Sequence, residues 1–250
     1  MENFKKKKTV SGTWCEIPSA YGANVIAKSG MDFIIIDMEH SVMTNETAQD
    51  MVMAAQCEGC AAFIRVPSID ESSILKALDT GADGIIVPHV ESLSEAESIV
   101  AYAKFAPDGN RGYNPFIRAG NYGNVPKDFF AAQNKKTMIG VIIESLSGLE
   151  NLGAIASCKH IDICYIGQYD ISVALGCPGD VKNKKVTDAV RASAKIINKH
   201  GKMAGCMVQN PKDASDMKKA GIKFMVYGVD TALLGGACRR FCEELKGGGK

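Results

Sequence analysis

The chain has no excess of charge of either sign. Its 250 residues hold 29 Lys and Arg against 28 Asp and Glu, a formal net charge of +1. Nothing global therefore draws it to nucleic acid or to an anionic membrane. The one basic cluster, Lys5 to Lys8, reads as a frayed, solvated end, and residues 1–9 and 247–250 are expected to be disordered. Long hydrophobic runs are missing too. No apolar stretch approaches the roughly 18 residues that cross a bilayer, and the first ten residues are charged rather than apolar, so neither a membrane span nor a targeting segment is expected. Nine cysteines are too odd a number for complete pairing. Most, such as Cys164 and Cys206, sit in apolar surroundings where a thiol behaves as a small hydrophobe. Cys57 and Cys60 form a lone C-x-x-C with no second pair or histidine at zinc-finger spacing. A reducing cytoplasm fits this usage. No G-x-G-x-x-G follows the first strand, which leaves a nucleotide or other organic cofactor without support.

What the sequence does have is alternation. Short apolar runs at Ser11–Cys15, Phe33–Asp37, Ala61–Val66, Gly84–Pro88, Thr137–Glu144, Ile161–Gly167, Lys202–Val208 and Phe224–Gly228 are bounded by Gly, Pro or Asp, as buried parallel strands are. Amphipathic stretches lie between them: Ala20–Ser29, Asn45–Glu58, Asp70–Thr80, Ser94–Phe105, Leu146–Ser157, Val186–His200, Pro211–Ala220 and Asp230–Lys246. Thr44 reads as an N-cap, and Ser94 with Glu97 as a capping box. Eight strand–helix pairs in about 250 residues predict a single α/β domain over 1–250, a closed (β/α)₈ barrel, with an open sheet as the alternative. One connection, Pro107 to Pro126, is long and rich in Gly, Asn and aromatics; with Arg111 and Arg118 it reads as a lid or binding loop.

In such a barrel the reactive residues come from the C-terminal ends of the strands. Those ends read Asp37-Met38-Glu39-His40, Arg65-Val66-Pro67, Pro88-His89, Glu144-Ser145 and Gly167-Gln168-Tyr169-Asp170. Each polar residue has a plain alternative: His40 as a strand cap, Arg65 paired with Asp37, Glu144 and Asp170 in a salt-bridge network with Arg65 or Arg118. Their convergence on one mouth favours a site, because charges there must be paired, hydrated or metal-bound to offset desolvation. Glu144 and Asp170 could hold Mg²⁺ or Mn²⁺ with water and substrate oxygens completing the shell, and Arg65 offers a fork to a carboxylate or enolate oxygen. No strand end carries a lysine or a cysteine, which disfavours Schiff-base and thiol chemistry.

At these residues the sequence resembles the HpcH/HpaI aldolase and citrate lyase family of class II 2-oxo-acid aldolases. The matching pieces are GTW at 12–14, GMDFIIIDMEH at 30–40, IRVP at 64–67, GADGIIVPHVES at 81–92, PDGNRG at 107–112, VIIES at 141–145 and YIGQYDISVALG at 165–176. The resemblance implies a pyruvate-binding barrel that depends on a divalent metal, Mg²⁺ or Mn²⁺ with Co²⁺ as a further option. It implies Glu144 and Asp170 as metal ligands, Arg65 on the keto oxygen, His40 oriented by Asp37 in acid–base chemistry, and the backbone around Gly167 facing the pyruvate carboxylate. Trp14 and Gln168 complete the expected substrate contacts. It also implies a homo-oligomer, commonly a hexamer, in which the C-terminal helix is exchanged between subunits. The expected reaction is reversible aldol cleavage of a 4-hydroxy-2-oxo acid to pyruvate and an aldehyde. Oxaloacetate decarboxylation, a citrate-like condensation or lyase step, and a non-catalytic binding protein are the alternatives. Two positions depart from the common pattern: Ile142 stands where many of these aldolases have Gln, and Gln168-Tyr169 stands in place of a Pro-x pair.

Overall fold

In a computed structural model describing residues 1–247, eight parallel strands close into a barrel. They are β1 (Val10–Cys15), β2 (Phe33–Asp37), β3 (Ala61–Arg65), β4 (Gly84–Val87), β5 (Met138–Ile143), β6 (Ile163–Ile166), β7 (Met203–Val208) and β8 (Phe224–Val229). Each expected strand is present within a residue or two. Both faces of these strands are buried, which is why they read as apolar runs rather than alternating ones. Ile34, Ile36, Ala62, Ile64, Ile85 and Val87 point outward to the helices. Phe33, Ile35, Phe63, Ile86, Met138, Ile142, Ile163, Tyr165, Phe224 and Val226 fill the barrel.

That two-residue period positions the site. Phe33 and Ile35 face the barrel interior, so Asp37 does as well; Ala61 and Phe63 do, so Arg65 follows; Met138 and Ile142 carry the parity on to Glu144. Asp37 and Arg65 are register partners across β2 and β3. The interior rings need room, and glycines on neighbouring strands provide it: a Cβ on Gly12 would lie 2.4 Å from the Phe33 ring, and one on Gly84 2.8 Å from Phe63.

The amino terminus departs from the expected frayed end. Glu2–Lys6 is a short helix under the barrel. Phe4 is buried there, 6.0 Å from the Phe33 ring and 5.8 Å from that of Phe63. Lys5 pairs with Asp162 at 2.8 Å and Lys7 with Asp32. At the other end Asp230–Gly247 is helical, and the expected disorder at 248–250 lies outside the described residues. Local signals shifted in three places. The capping box is made by Ser92 and Glu95, two residues earlier than expected. The helix expected over Leu146–Ser157 is two, Leu146–Glu150 and Leu152–Ser157, divided at Asn151. A helix Gln168–Ala174, not anticipated, opens straight after β6.

The Pro107–Pro126 segment is not a lid over its own barrel mouth. It connects the C-terminal end of the helix Leu93–Ala103 to the start of β5, and therefore runs on the face opposite the strand C-terminal ends. Arg111 is buried, paired with Asp79 at 2.8 Å and stacked 4.7 Å over the Phe105 ring. Arg118 donates to the Thr80 carbonyl and to Gln56 Oε1, both at 2.7 Å. Both arginines staple this loop to the outer wall of the molecule.

Candidate active site

At the C-terminal mouth a cavity of about 240 Å³ is lined by Trp14, Glu16, His40, Arg65, Ile142, Glu144, Tyr165, Gly167, Gln168, Tyr169, Asp170, Met207 and Val229. Larger hollows exist. One, of about 760 Å³, is lined by Lys5, Lys104 and Phe130 among others and shares no lining residue with the polar strand C-terminal ends. Chemistry belongs with the smaller one, where the polar C-terminal ends of the strands converge.

Arg65 is the most constrained of them. Its Nε donates to Asp37 Oδ1 at 2.9 Å, its Nη2 to Asp37 Oδ2, and its Nη1 lies 3.2 Å from Glu39 Oε2. The guanidinium sits 4.4 Å above the Trp14 ring, a cation–π contact strengthened by burial. Trp14 is held in turn by Tyr165, edge-on at 5.6 Å, with its Nε1 3.3 Å from the phenol oxygen. Burial alone would push the Asp37 carboxyl up. The hydrogen bonds and charge of Arg65, with the backbone N–H groups of His40 and Glu39, outweigh it and hold the group below its ordinary value. The same acids, with Glu144, keep Arg65 charged despite its own desolvation.

Asp37 therefore orients Arg65 and not the His40 ring, contrary to expectation. It is wholly buried and meets His40 only through the backbone N–H, at 3.2 Å. The His40 imidazole is exposed at the rim, with Nε2 3.7 Å from Glu39 Oε2. Glu39 joins His40, Arg65 and His89, whose Nε2 lies 3.0 Å from Glu39 Oε1. The sequence alone gives Glu39 and His89 no role, although both stand at strand ends. The repeated placing of acids and histidines there was the signal that could have found them.

Glu144 is almost wholly buried. Burial raises its carboxyl above the ordinary value, and the charges of Asp170 and Glu39 push the same way; the His89 backbone N–H and imidazole pull against them. Asp170 stands exposed in the first turn of the helix Gln168–Ala174. Among the described residues no three acidic, histidine or cysteine side chains converge as a complete metal site. Two carboxylates facing a wet cavity, one destabilised by like charge, nevertheless fit a hard cation that takes its remaining oxygens from water and ligand. Gly167 leaves the room. A Cβ there would come 2.7 Å from Glu144 Cβ and 3.1 Å from Oε2. The Gly167 N–H is engaged by the Ile143 carbonyl at 2.9 Å, so the donors free to meet an anion are the first-turn N–H groups beyond it, which a helix leaves without internal acceptors. Gln168 Oε1 accepts from the Met207 N–H at 3.0 Å, tying the site to β7.

Fold and mouth together define a (β/α)₈ barrel enzyme with an acid pair and a clamped arginine at the strand C-terminal ends. The chain belongs to the HpcH/HpaI aldolase/citrate lyase family, whose profile matches residues 11–237. It is 31% identical over 235 residues, 94% of this chain and 91% of the other, to the 5-keto-4-deoxy-D-glucarate aldolase of Klebsiella pneumoniae. Among solved structures it resembles the citrate synthase SbnG, with a TM-score of 0.87 and 29% identity over 96% of this chain and 94% of that one. A family protein from Burkholderia cenocepacia superposes with a TM-score of 0.91 at 24% identity, covering 98% of both chains, and shows the shared fold. The protein is thus a carbon–carbon lyase of the class II aldolase kind, a divalent-metal-dependent type that acts on small molecules. No helix among the described residues is long and apolar enough to cross a membrane.

Proposed function

We propose that this enzyme catalyses reversible aldol cleavage of a 4-hydroxy-2-oxo acid to pyruvate and an aldehyde, with Mg²⁺ or Mn²⁺ (Co²⁺ as a further option) held by Glu144 and Asp170. The observation that carries the reading is the opposition across one small cavity of a rigidly clamped Arg65 and the Glu144–Asp170 pair. A cation bound there supplies Lewis-acid polarisation of the 2-oxo group. Arg65, pre-oriented by Asp37 and Glu39, donates to the 2-oxo oxygen and stabilises the negative charge that develops on it as the C3–C4 bond breaks. His40 accepts the C4 hydroxyl proton, directly or through water, while the C3–C4 electron pair passes into the enolate and the C4–O bond becomes the aldehyde carbonyl. Return of that proton from His40 to C3, directly or through water, completes pyruvate. Trp14 and Tyr165 floor the cavity and hold Arg65 in place; Ile142, fully buried, makes an apolar wall where an amide is common.

The test is a pyruvate–aldehyde condensation screen with several divalent metals, run beside an oxaloacetate decarboxylation assay and a Mn²⁺ titration. Metal-dependent consumption of pyruvate that requires an aldehyde is expected. Glu144→Gln and Asp170→Asn should each abolish it together with Mn²⁺ binding. Aldol cleavage at the wild-type rate in His40→Ala would remove His40 as the base. A second reading, condensation of an enolate with a 2-oxo acid, is favoured by the 29% identity to a citrate synthase. It predicts turnover of oxaloacetate with an acetyl thioester and no aldehyde requirement.

The quaternary reading is a homo-oligomer, a hexamer by family resemblance, built by exchange of the helix Asp230–Gly247. Its support is the exposed apolar surface of that helix: Leu234, Phe241 and Leu245 all face solvent in the single chain.

A further inference from the structure

His89 follows β4 and turns the chain sharply. Val87 is paired with Val141 on β5, and Val90, three residues on, donates its N–H to the carbonyl of Ile142, only one residue on. The chain must therefore fold outward between them. His89 does this with a φ of 57°, in the left-handed region that residues other than Gly enter uncommonly, Asn, Asp and His more often than the rest. Such a conformation persists where its surroundings over-determine it, and here the surroundings are carboxylates. The His89 backbone N–H donates to Glu144 Oε1 at 2.7 Å, Nδ1 lies 2.9 Å from the same oxygen, and Nε2 lies 3.0 Å from Glu39 Oε1. Among the described residues, the hydrogen bonds and ion pairs to the Glu144 carboxylate all fall on Oε1. The other oxygen, Oε2, lies on the Gly167 side of the cavity, 3.1 Å from where a Cβ on that glycine would stand.

We propose that His89 is a positioning residue for the cation. Its backbone and ring together fix one oxygen of Glu144 and leave the other as the ligand oxygen, while the same ring braces Glu39 against Arg65. The proposal rests on Glu144 and Asp170 being the cation ligands. Both contacts that fix the ligand thus come from one strand end, so the turn after β4 sets both the direction of Glu144 and the spacing between the acid side and the arginine side of the cavity. An outer contact of this kind orients a ligand and sets its basicity, and its loss typically weakens metal binding by about 10- to 100-fold.

Mn²⁺ affinity, followed by calorimetry and by electron paramagnetic resonance of the free ion, tests this without reference to turnover. His89→Gly retains the backbone N–H, relieves the left-handed φ and removes the ring; His89→Ala removes the ring and keeps the strain. His89→Asn accepts the left-handed conformation and offers one side-chain donor. The expected order of affinity is wild type, then Asn, then Gly and Ala together, with Gly and Ala weaker than wild type by about ten-fold or more. The ring is 65% exposed, so all three should fold with thermal midpoints near that of the wild type. Wild-type affinity in His89→Gly overturns this proposal and leaves the functional reading intact. A wild type that binds no Mn²⁺, or binding that survives Glu144→Gln, overturns the functional reading and this proposal with it.

Discussion

Asp37 is fully buried, ionised, and engaged on both oxygens by one guanidinium, with the backbone N–H groups of Glu39 and His40 adding to one of them. Asp37→Asn keeps the shape and removes the charge, leaving Arg65 desolvated with Glu39 in contact and the Glu144 charge nearby. Breaking a buried pair in this way costs about 3–5 kcal/mol; the remaining Glu39 contact places the expected loss near the lower end. Urea unfolding should report that loss, and the KM for the 2-oxo acid should rise more than kcat falls, because Arg65 would be misdirected rather than lost. The pH dependence has a definite sign. The folded-state pKa of Asp37 is depressed, so its contribution to stability is complete above the unfolded-state value of about 3.9 and disappears as pH falls through the lower folded-state value. The acid limb of the stability curve should therefore be steeper in wild type than in Asp37→Asn. Glu144 has the opposite sign. Its folded-state pKa is raised, so in the metal-free protein it lowers stability as pH rises from the unfolded-state value through the folded one. Glu144→Gln is expected to unfold at higher temperature than metal-free wild type at pH 7, a measurement that separates a site held against strain from an ordinary buried ion pair.

At the scale of elements, the short helix Glu2–Lys6 acts as a plug. Phe4 completes a ring cluster with Phe33, Phe63 and Phe224, the last stacked 4.0 Å from Phe33. Phe4→Ala should cost about 3 kcal/mol, the lower end for a buried Phe truncation because the helix lies at the barrel's edge. Thermal unfolding should report it with little change in Mn²⁺ affinity, since Phe4 lies across the barrel from Glu144. That plug was illegible beforehand because Phe4 stands alone among lysines, and the partner rings that bury it arrive from strands far along the chain. The eight strands were legible because burial on both faces writes itself as unbroken apolar runs. The site residues at their ends were legible because parity carries each strand's interior face one step past its last Ile or Phe. The roles were less so. Asp37 stood equally close in sequence to His40 and in register to Arg65, and only the β2–β3 pairing decides between them. Arg111 and Arg118 promised a lid because a glycine-rich loop with arginines looks alike on either face of a barrel; the face is fixed by which strand the loop precedes.

The whole molecule, taken as a single chain, leaves one helix insufficiently covered. Leu234, Phe241 and Leu245 are 60, 67 and 72% exposed, spaced at seven and eleven residues along Asp230–Gly247 so that they share a face. The helix touches its own barrel mainly at β1 and β8, near its start, where Asp230 accepts the N–H groups of Glu16 and Ile17 at 2.9 and 3.1 Å. An anchored first turn with an apolar face running on from it supports the proposed packing of this helix on another copy. If the proposed assembly is right, Phe241→Glu with Leu245→Glu, which places two charges on that face, yields smaller species than wild type by light scattering, while the barrel core, which neither residue enters, keeps its far-ultraviolet spectrum. The mouth lies at the C-terminal ends of β1 and β8, and Glu16, which lines it, is bonded to Thr231 at 3.2 Å. A helix pulled away from its neighbour would loosen this contact, so activity should fall with the oligomer even though Glu144, Asp170 and Arg65 are untouched. Dissociated protein retaining full wild-type kcat/KM would instead make each barrel a self-sufficient catalyst and confine the helix to assembly.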